Sequence, residues 1–132
     1  MLRDFVEHRI PAFGPPEDAM LAGDPWLAHS LLSVRLNLGL LDPMEVVARV
    51  EAAYRAGAVP LASAEGFVRQ VIGWRDYVWN IYWHVGPAYR SRTALSARRS
   101  LPSWFLELDA ETVEARCLSE VLAGVRDRGW AG

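Results

Sequence analysis

The sequence predicts an all-α fold of about five helices, and three observations carry that prediction. Apolar residues recur at steps of three and four over residues 64 to 85 (AEGFVRQVIGWRDYVWNIYWHV), at Phe67, Val71, Trp74, Val78, Ile81 and Val85. That is the period of one helix face. Asp24-Pro25 and Asp42-Pro43-Met44-Glu45 both read as an N-cap followed by proline at the first helical position. No alternating apolar and polar run lasts more than a few residues, so no strand is expected. Residues 1 to 132 read as a single domain, a length that suits one core.

Residues 2 to 10 suit a short helix with Phe5, Val6 and Ile10 inward, ended by Pro11 and Gly14-Pro15-Pro16. A second helix is expected after Asp24, through PWLAHSLLSVRLNLGLL, stopping near Gly39. A third runs from the Asp42 cap to about Ala56, with Glu45 at the capping-box position and Gly57 as its stop. Its inward residues are Val46, Val47, Val50, Ala53 and Tyr54. Pro60 separates it from the long helix, for which Ser63 is the expected cap. The last helix is expected from about Asp109 to Arg128, with Val113, Cys117, Val121 and Val125 on one stripe and Gly129 as the stop.

The long helix has a second apolar flank, Val68, Ile72, Trp79 and Trp83, and few polar positions. A helix that is apolar nearly all round is expected to be buried on most sides. Arg69 and Arg75 on it then need a carboxylate or a bound anion. For Arg69 an intramolecular carboxylate pair is expected.

The totals exclude several classes. Hydrophobic content of 52% with a formal charge of -2 excludes a disordered tail. No apolar run approaches the roughly 20 residues of a membrane span, and the acidic N-terminus lacks an apolar signal core. A single cysteine rules out an internal disulfide and points to a reducing, cytoplasmic setting. All 14 basic residues are arginine; genome composition accounts for this, and arginine also binds phosphate in bidentate fashion.

Among candidate chemistry, His8, His29 and His84 lie too far apart for a histidine-based metal site, and no nucleotide-binding or hydrolase signature is present. Cys117, mid-stripe, reads as a small buried hydrophobe. Ser30 and Ser33 either bond back to their own helix or hold a phosphate whose charge Arg75 balances. Trp74 is either core packing or an aromatic platform for a base. Arg90, Arg92, Arg98 and Arg99 make a local positive patch, since no acidic residue occurs between Asp76 and Glu107. It is either a solvated surface or a contact for a nucleic-acid backbone.

GFVRQVIGWRDYVWNIYW resembles the GFIRQILGWREY-type signature of the deoxyribodipyrimidine photolyase-related proteins, the bacterial iron–sulfur photolyases and cryptochromes that include (6-4) photolyases. HSLLSVRLNLGLLDPMEVV resembles their flavin-phosphate motif, the counterpart of TSxLSPYL in ordinary photolyases. FGPPEDAM, EAAYRAG, LPSWF and the RCL around Cys117 also match, in order and with similar spacing. The resemblance implies a fold like the first part of the FAD-binding catalytic domain and a parent that repairs UV-damaged DNA by light. It implies that His29, Ser30, Leu31, Leu32 and Ser33 line the flavin pyrophosphate and that Arg75 neutralises it. Gln70 and Trp74 then face the lesion, and Cys117 is one of four ligands of a [4Fe–4S] cluster; Arg98 and Arg99 are candidate DNA contacts on the ground of the positive patch alone.

The departures shape the expectation as much. Pro16 stands where the family has a flavin-contacting tyrosine, and Gly132 where it has a histidine near the lesion. The α/β antenna domain, the second half of the catalytic domain and three cluster cysteines have no counterpart here. No catalytic residue is therefore assigned, no cluster is expected, and the chain is expected to be inactive alone, with weak or no flavin binding. Self-association through an exposed apolar face is expected instead. The alternative is a small α-helical module that binds nucleic acid or protein without chemistry.

Overall fold

A computed structural model describes residues 1–129; Trp130, Ala131 and Gly132, including the departure read at Gly132, lie outside the described residues. Six α-helices and no strand occur among the described residues, so the all-α expectation holds. The helices are α1 (Leu2–Asp4), α2 (Ser33–Asn37), α3 (Pro43–Arg55), α4 (Leu61–Val85), α5 (Ser103–Leu106) and α6 (Arg116–Arg128). The residues fall into two compact units, Met1–Tyr89 and a second from Arg90 onward.

In the first unit, α1 continues through a π turn at Phe5–Arg9 into a 3₁₀ turn at Ile10–Ala12. Pro11 lies in that 3₁₀ turn, where its missing N–H breaks no α-helical ladder. Phe5 and Ile10 are fully buried. Phe5, Phe13 and Phe67 form an aromatic triangle, with Phe5–Phe67 centroids 4.7 Å apart and Phe13–Phe67 crossing edge to face at 5.4 Å. Leu32, Val46, Val50, Val59, Ala64 and Val71 complete the same core.

α3 follows its sequence closely. Asp42 is extended, and its carboxylate accepts from the Met44 N–H at 2.6 Å. Gly57, at φ 74°, takes the left-handed turn that ends it. Tyr54, expected inward, is exposed. Glu45 pairs loosely with Arg49 at 3.7 Å.

The helix expected after Asp24 is cut down to α2, five residues long. The Asp24 carboxylate does accept from the Trp26 and Leu27 N–H groups, at 3.0 and 3.1 Å. Leu27 then turns to φ 43° and Leu31 to φ 58°. Two left-handed leucines stop a helical run, each at a cost of about 1–2 kcal/mol.

α4 begins two residues earlier than its expected cap. Ser63 is buried in its first turn, where the hydroxyl accepts from the Gly14 N–H at 2.9 Å and donates to the Pro11 carbonyl. The serine thus ties the N-terminal segment to α4. Burial along α4 is uneven. Ser63, Ala64, Gly66, Phe67 and Val71 are buried, whereas Trp74, Val78, Trp79, Tyr82 and Trp83 are exposed. The expectation of burial on most sides fails because the core residues lie along the first half of the helix only. Arg69 pairs with Glu65 one turn before it, at 3.1 Å on the surface, as expected of it.

In the second unit the last helix starts at Arg116, seven residues later than expected. Asp109 is responsible: its carboxylate accepts from the Glu111 N–H at 2.6 Å and its carbonyl from the Val113 N–H, closing a turn. Ala115 is then extended before α6 begins. Gly129, at φ 68°, ends α6 as expected. Cys117 is exposed, which corrects its reading as a buried hydrophobe: the buried position on α6 is Gly124.

Candidate functional site: an anchored tryptophan on α4

The residues singled out on α4 share one stretch of its surface. Gln70 and Trp74 lie one turn apart, and the Trp74 indole N–H donates to the Gln70 side-chain oxygen at 2.9 Å. The Gln70 amide in turn donates to the Glu17 carboxylate at 2.8 Å. An indole N–H can only donate, so the Gln70 oxygen must face Trp74 and its NH₂ must face Glu17. The amide orientation is fixed by its two partners.

Glu17 is itself held. Its carboxylate rests against Gly66, where an added Cβ would collide with it. Its backbone carbonyl lies 3.2 Å from the His29 ring Nε2. The His29 carbonyl accepts from Arg9 at 3.0 Å, and Arg9 also bonds Asp4 and lies over the Phe5 ring. A continuous polar chain therefore runs Arg9–His29–Glu17–Gln70–Trp74. Sequence reasoning missed Glu17 and Arg9. Glu17 sits in the FGPPEDAM motif, and that motif, with a glycine inside the buried half of a helix at Gly66, was the available signal.

Trp74 borders two open clefts. One, of about 440 Å³, is lined by Arg69, Gln70, Gly73, Trp74 and Tyr77. The other, of about 790 Å³, includes Asn37, Trp74, Arg75, Val78, Trp79 and Trp83 in its lining. The indole is 61% exposed, so an aromatic face is free for a planar partner. Trp74 meets Tyr77 edge to face at 5.9 Å, and Trp79 meets Trp83 at 5.5 Å.

The phosphate-binding candidates are less assembled. The Ser30 hydroxyl accepts from the Leu32 N–H at 3.3 Å, and Ser33 is exposed at the start of α2. Leu31 is left-handed between them and Leu32 is fully buried. Arg75, half-buried, donates to the Val71 carbonyl of its own helix at 2.6 Å. No hydrogen bond joins it to Ser30 or Ser33 among the described residues.

Arg92, Arg98 and Arg99 are exposed on irregular chain, and Arg90 is exposed on the 3₁₀ turn Pro87–Ser91. Cys117 offers one exposed thiol, three ligands short of the four that hold a [4Fe–4S] cluster. No group of three or more His, Cys, Asp or Glu side chains is placed to hold a metal ion among the described residues. No described helix is long and apolar enough to cross a membrane.

Comparison with known proteins gives a class of relative. The chain is 39% identical over 130 residues to a (6-4) photolyase of Agrobacterium fabrum, a match that takes in 98% of this chain and 25% of that protein. It is also 37% identical over 70 residues to the uncharacterized protein R853 of Acanthamoeba polyphaga mimivirus, covering 52% of this chain and 54% of the viral one. No family model matches the sequence. The chain is thus photolyase-like along nearly its whole length and spans about a quarter of the photolyase it matches.

Proposed function

We propose that the chain is a photolyase-like segment that carries one wall of a flavin and DNA-lesion site and is not catalytically competent alone. The 39% identity to a (6-4) photolyase across 98% of the chain carries the reading. Ser30, Ser33 and the Leu31–Leu32 backbone would take the pyrophosphate of FAD, with Arg75 supplying the opposing charge. Gln70 and Trp74 would form the wall against which an unpaired pyrimidine photoproduct packs. A flavin held there would supply light-driven electron transfer to the photoproduct. What this chain supplies is donors for phosphate, an aromatic platform and positive charge. Both clefts are open to solvent, which supports weak flavin retention by the isolated chain. The reading also implies a cytoplasmic protein that meets DNA.

The test is a chimera in which this chain replaces the matching quarter of the Agrobacterium fabrum (6-4) photolyase. Flavin retained by the chimera and lost with Arg75→Ala supports the assignment. A folded chimera without flavin refutes it. Trp74→Ala in the same chimera is expected to weaken binding to UV-damaged DNA about tenfold, since stacking on one aromatic is worth about 1–3 kcal/mol.

A second reading rests on the exposed arginines at 90 to 99: the chain binds nucleic acid by itself, without chemistry. Salt-dependent binding of an oligonucleotide by the isolated chain favours it.

A further inference from the structure

We infer that Glu17 is a positioning residue for Trp74, acting through Gln70 to hold the indole in one pose at the border of the two clefts. The inference deepens the reading above, because it names what fixes the aromatic platform that reading uses. An exposed side chain exchanges rotamers within picoseconds to nanoseconds unless something holds it. Trp74 is exposed, yet its N–H is engaged by Gln70, and Gln70 is engaged by the Glu17 carboxylate.

Glu17 is suited to that work for three reasons. It is joined to Gln70 across 53 residues of sequence, so it ties the α4 surface to the segment before α2. Its carboxylate rests on the bare backbone of Gly66, so the side chain is confined on one side by α4 itself. Its main chain is engaged by the His29 ring, which belongs to a segment anchored by Arg9. The Glu17 carboxylate oxygen accepts from the Gln70 amide N–H, which leaves the Gln70 oxygen as the acceptor for Trp74.

The test reads Trp74 in the free 132-residue chain, so it succeeds or fails whether or not a base stacks there. The Trp74 indole N–H signal in a ¹⁵N-labelled sample is assigned by its disappearance in Trp74→Phe. Glu17→Met keeps the length of the side chain and removes the acceptor. It is expected to shift that signal and raise its exchange with water roughly fivefold, the factor for one neutral hydrogen bond. The other indole signals and the helical circular dichroism should stay as they were. Glu17→Gln keeps an amide oxygen for Gln70 and is expected to restore the wild-type signal. Gly66→Ala, which displaces Glu17 without altering it, is expected to reproduce the Glu17→Met signature and serves if Glu17→Met fails to fold. A Trp74 signal that is unchanged in Glu17→Met or in Gly66→Ala overturns the inference. So does a Glu17→Gln signal that matches Glu17→Met.

Discussion

The carboxylate of Glu17 occupies the space that a Cβ on Gly66 would need. That relationship separates Gly66 from Gly73, the other glycine inside α4. A Cβ on Gly73 would meet the Arg69 side chain at 3.7 Å, ordinary contact. Gly73→Ala is therefore expected to raise stability by about 0.5–1 kcal/mol, the usual gain from replacing a helix-interior glycine. Gly66→Ala should gain less, because Glu17 must leave its seat and its bond to Gln70. Paired urea titrations measure both variants, and an equal gain at the two sites would refute the packing argument.

The aromatic triangle should carry much of the stability of the first unit. Phe5 is fully buried against Phe13 and Phe67. Phe5→Ala is expected to cost about 3–5 kcal/mol, visible as a lower urea midpoint. Phe5→Leu should cost much less, because it leaves a smaller cavity.

Asp24 gives a pH signature. The Trp26 and Leu27 N–H groups, in that order, hold its carboxyl below its ordinary value of 3.8. A carboxyl with a lowered folded pKa stabilises the fold above the unfolded value, and that contribution disappears as pH falls through the folded value. Asp24→Ala should thus be less stable than wild type at neutral pH. The gap should close in acid below about pH 3.8. A gap independent of pH would mean the carboxylate charge plays no part in the turn.

If Arg98 and Arg99 touch a nucleic-acid backbone, replacing both with alanine should weaken binding of single-stranded DNA. The slope of log affinity against log salt should fall by about 1.4, at roughly 0.7 per lost phosphate contact. Fluorescence anisotropy at several salt concentrations measures both. An unchanged slope would make the arginines ordinary surface.

The exposed rings at the end of α4 should promote self-association. Trp79, Tyr82 and Trp83 are each more than half exposed on one helix, an apolar patch that water solvates poorly. Sedimentation velocity should show concentration-dependent oligomers that Trp79→Glu with Trp83→Glu returns to monomer. Persistent oligomers in that double variant would locate the contact elsewhere.

Much of the architecture was legible because its signals are local. The Asp42 cap, the Gly57 and Gly129 stops, and the buried positions Phe5, Ile10, Val46 and Val50 all follow from spacing and capping chemistry. The apolar content of residues 25 to 32 suits a helix, yet Leu27 and Leu31 are left-handed and the helix begins only at Ser33. The two left-handed leucines are set by the fold around them, which composition does not encode. The start of α6 was misplaced for a related reason, since Asp109 can cap a helix or close a turn, and here it closes a turn. On α4 the periodicity located the helix but could not say which half meets the core. Of the candidate site, Gln70 and Trp74 were found together, whereas Glu17 was missed because it reaches them from a distant part of the sequence. Arg75 and the two serines are read as facing one another across a phosphate, and in the structure Arg75 donates to the Val71 carbonyl of its own helix.

α4 has 25 residues, of which the buried ones end at Val71. The helix is therefore two regimes in one continuous hydrogen-bond ladder. Past the first turn, amide hydrogens up to about Val71 are expected to exchange only when the core itself opens, and so to report the global stability of the first unit. Those from Trp74 to Val85 can exchange by fraying from the Gly86 end, with no core residue disturbed. The polar link from Trp74 through Gln70 to Glu17 sits at the junction between the two regimes.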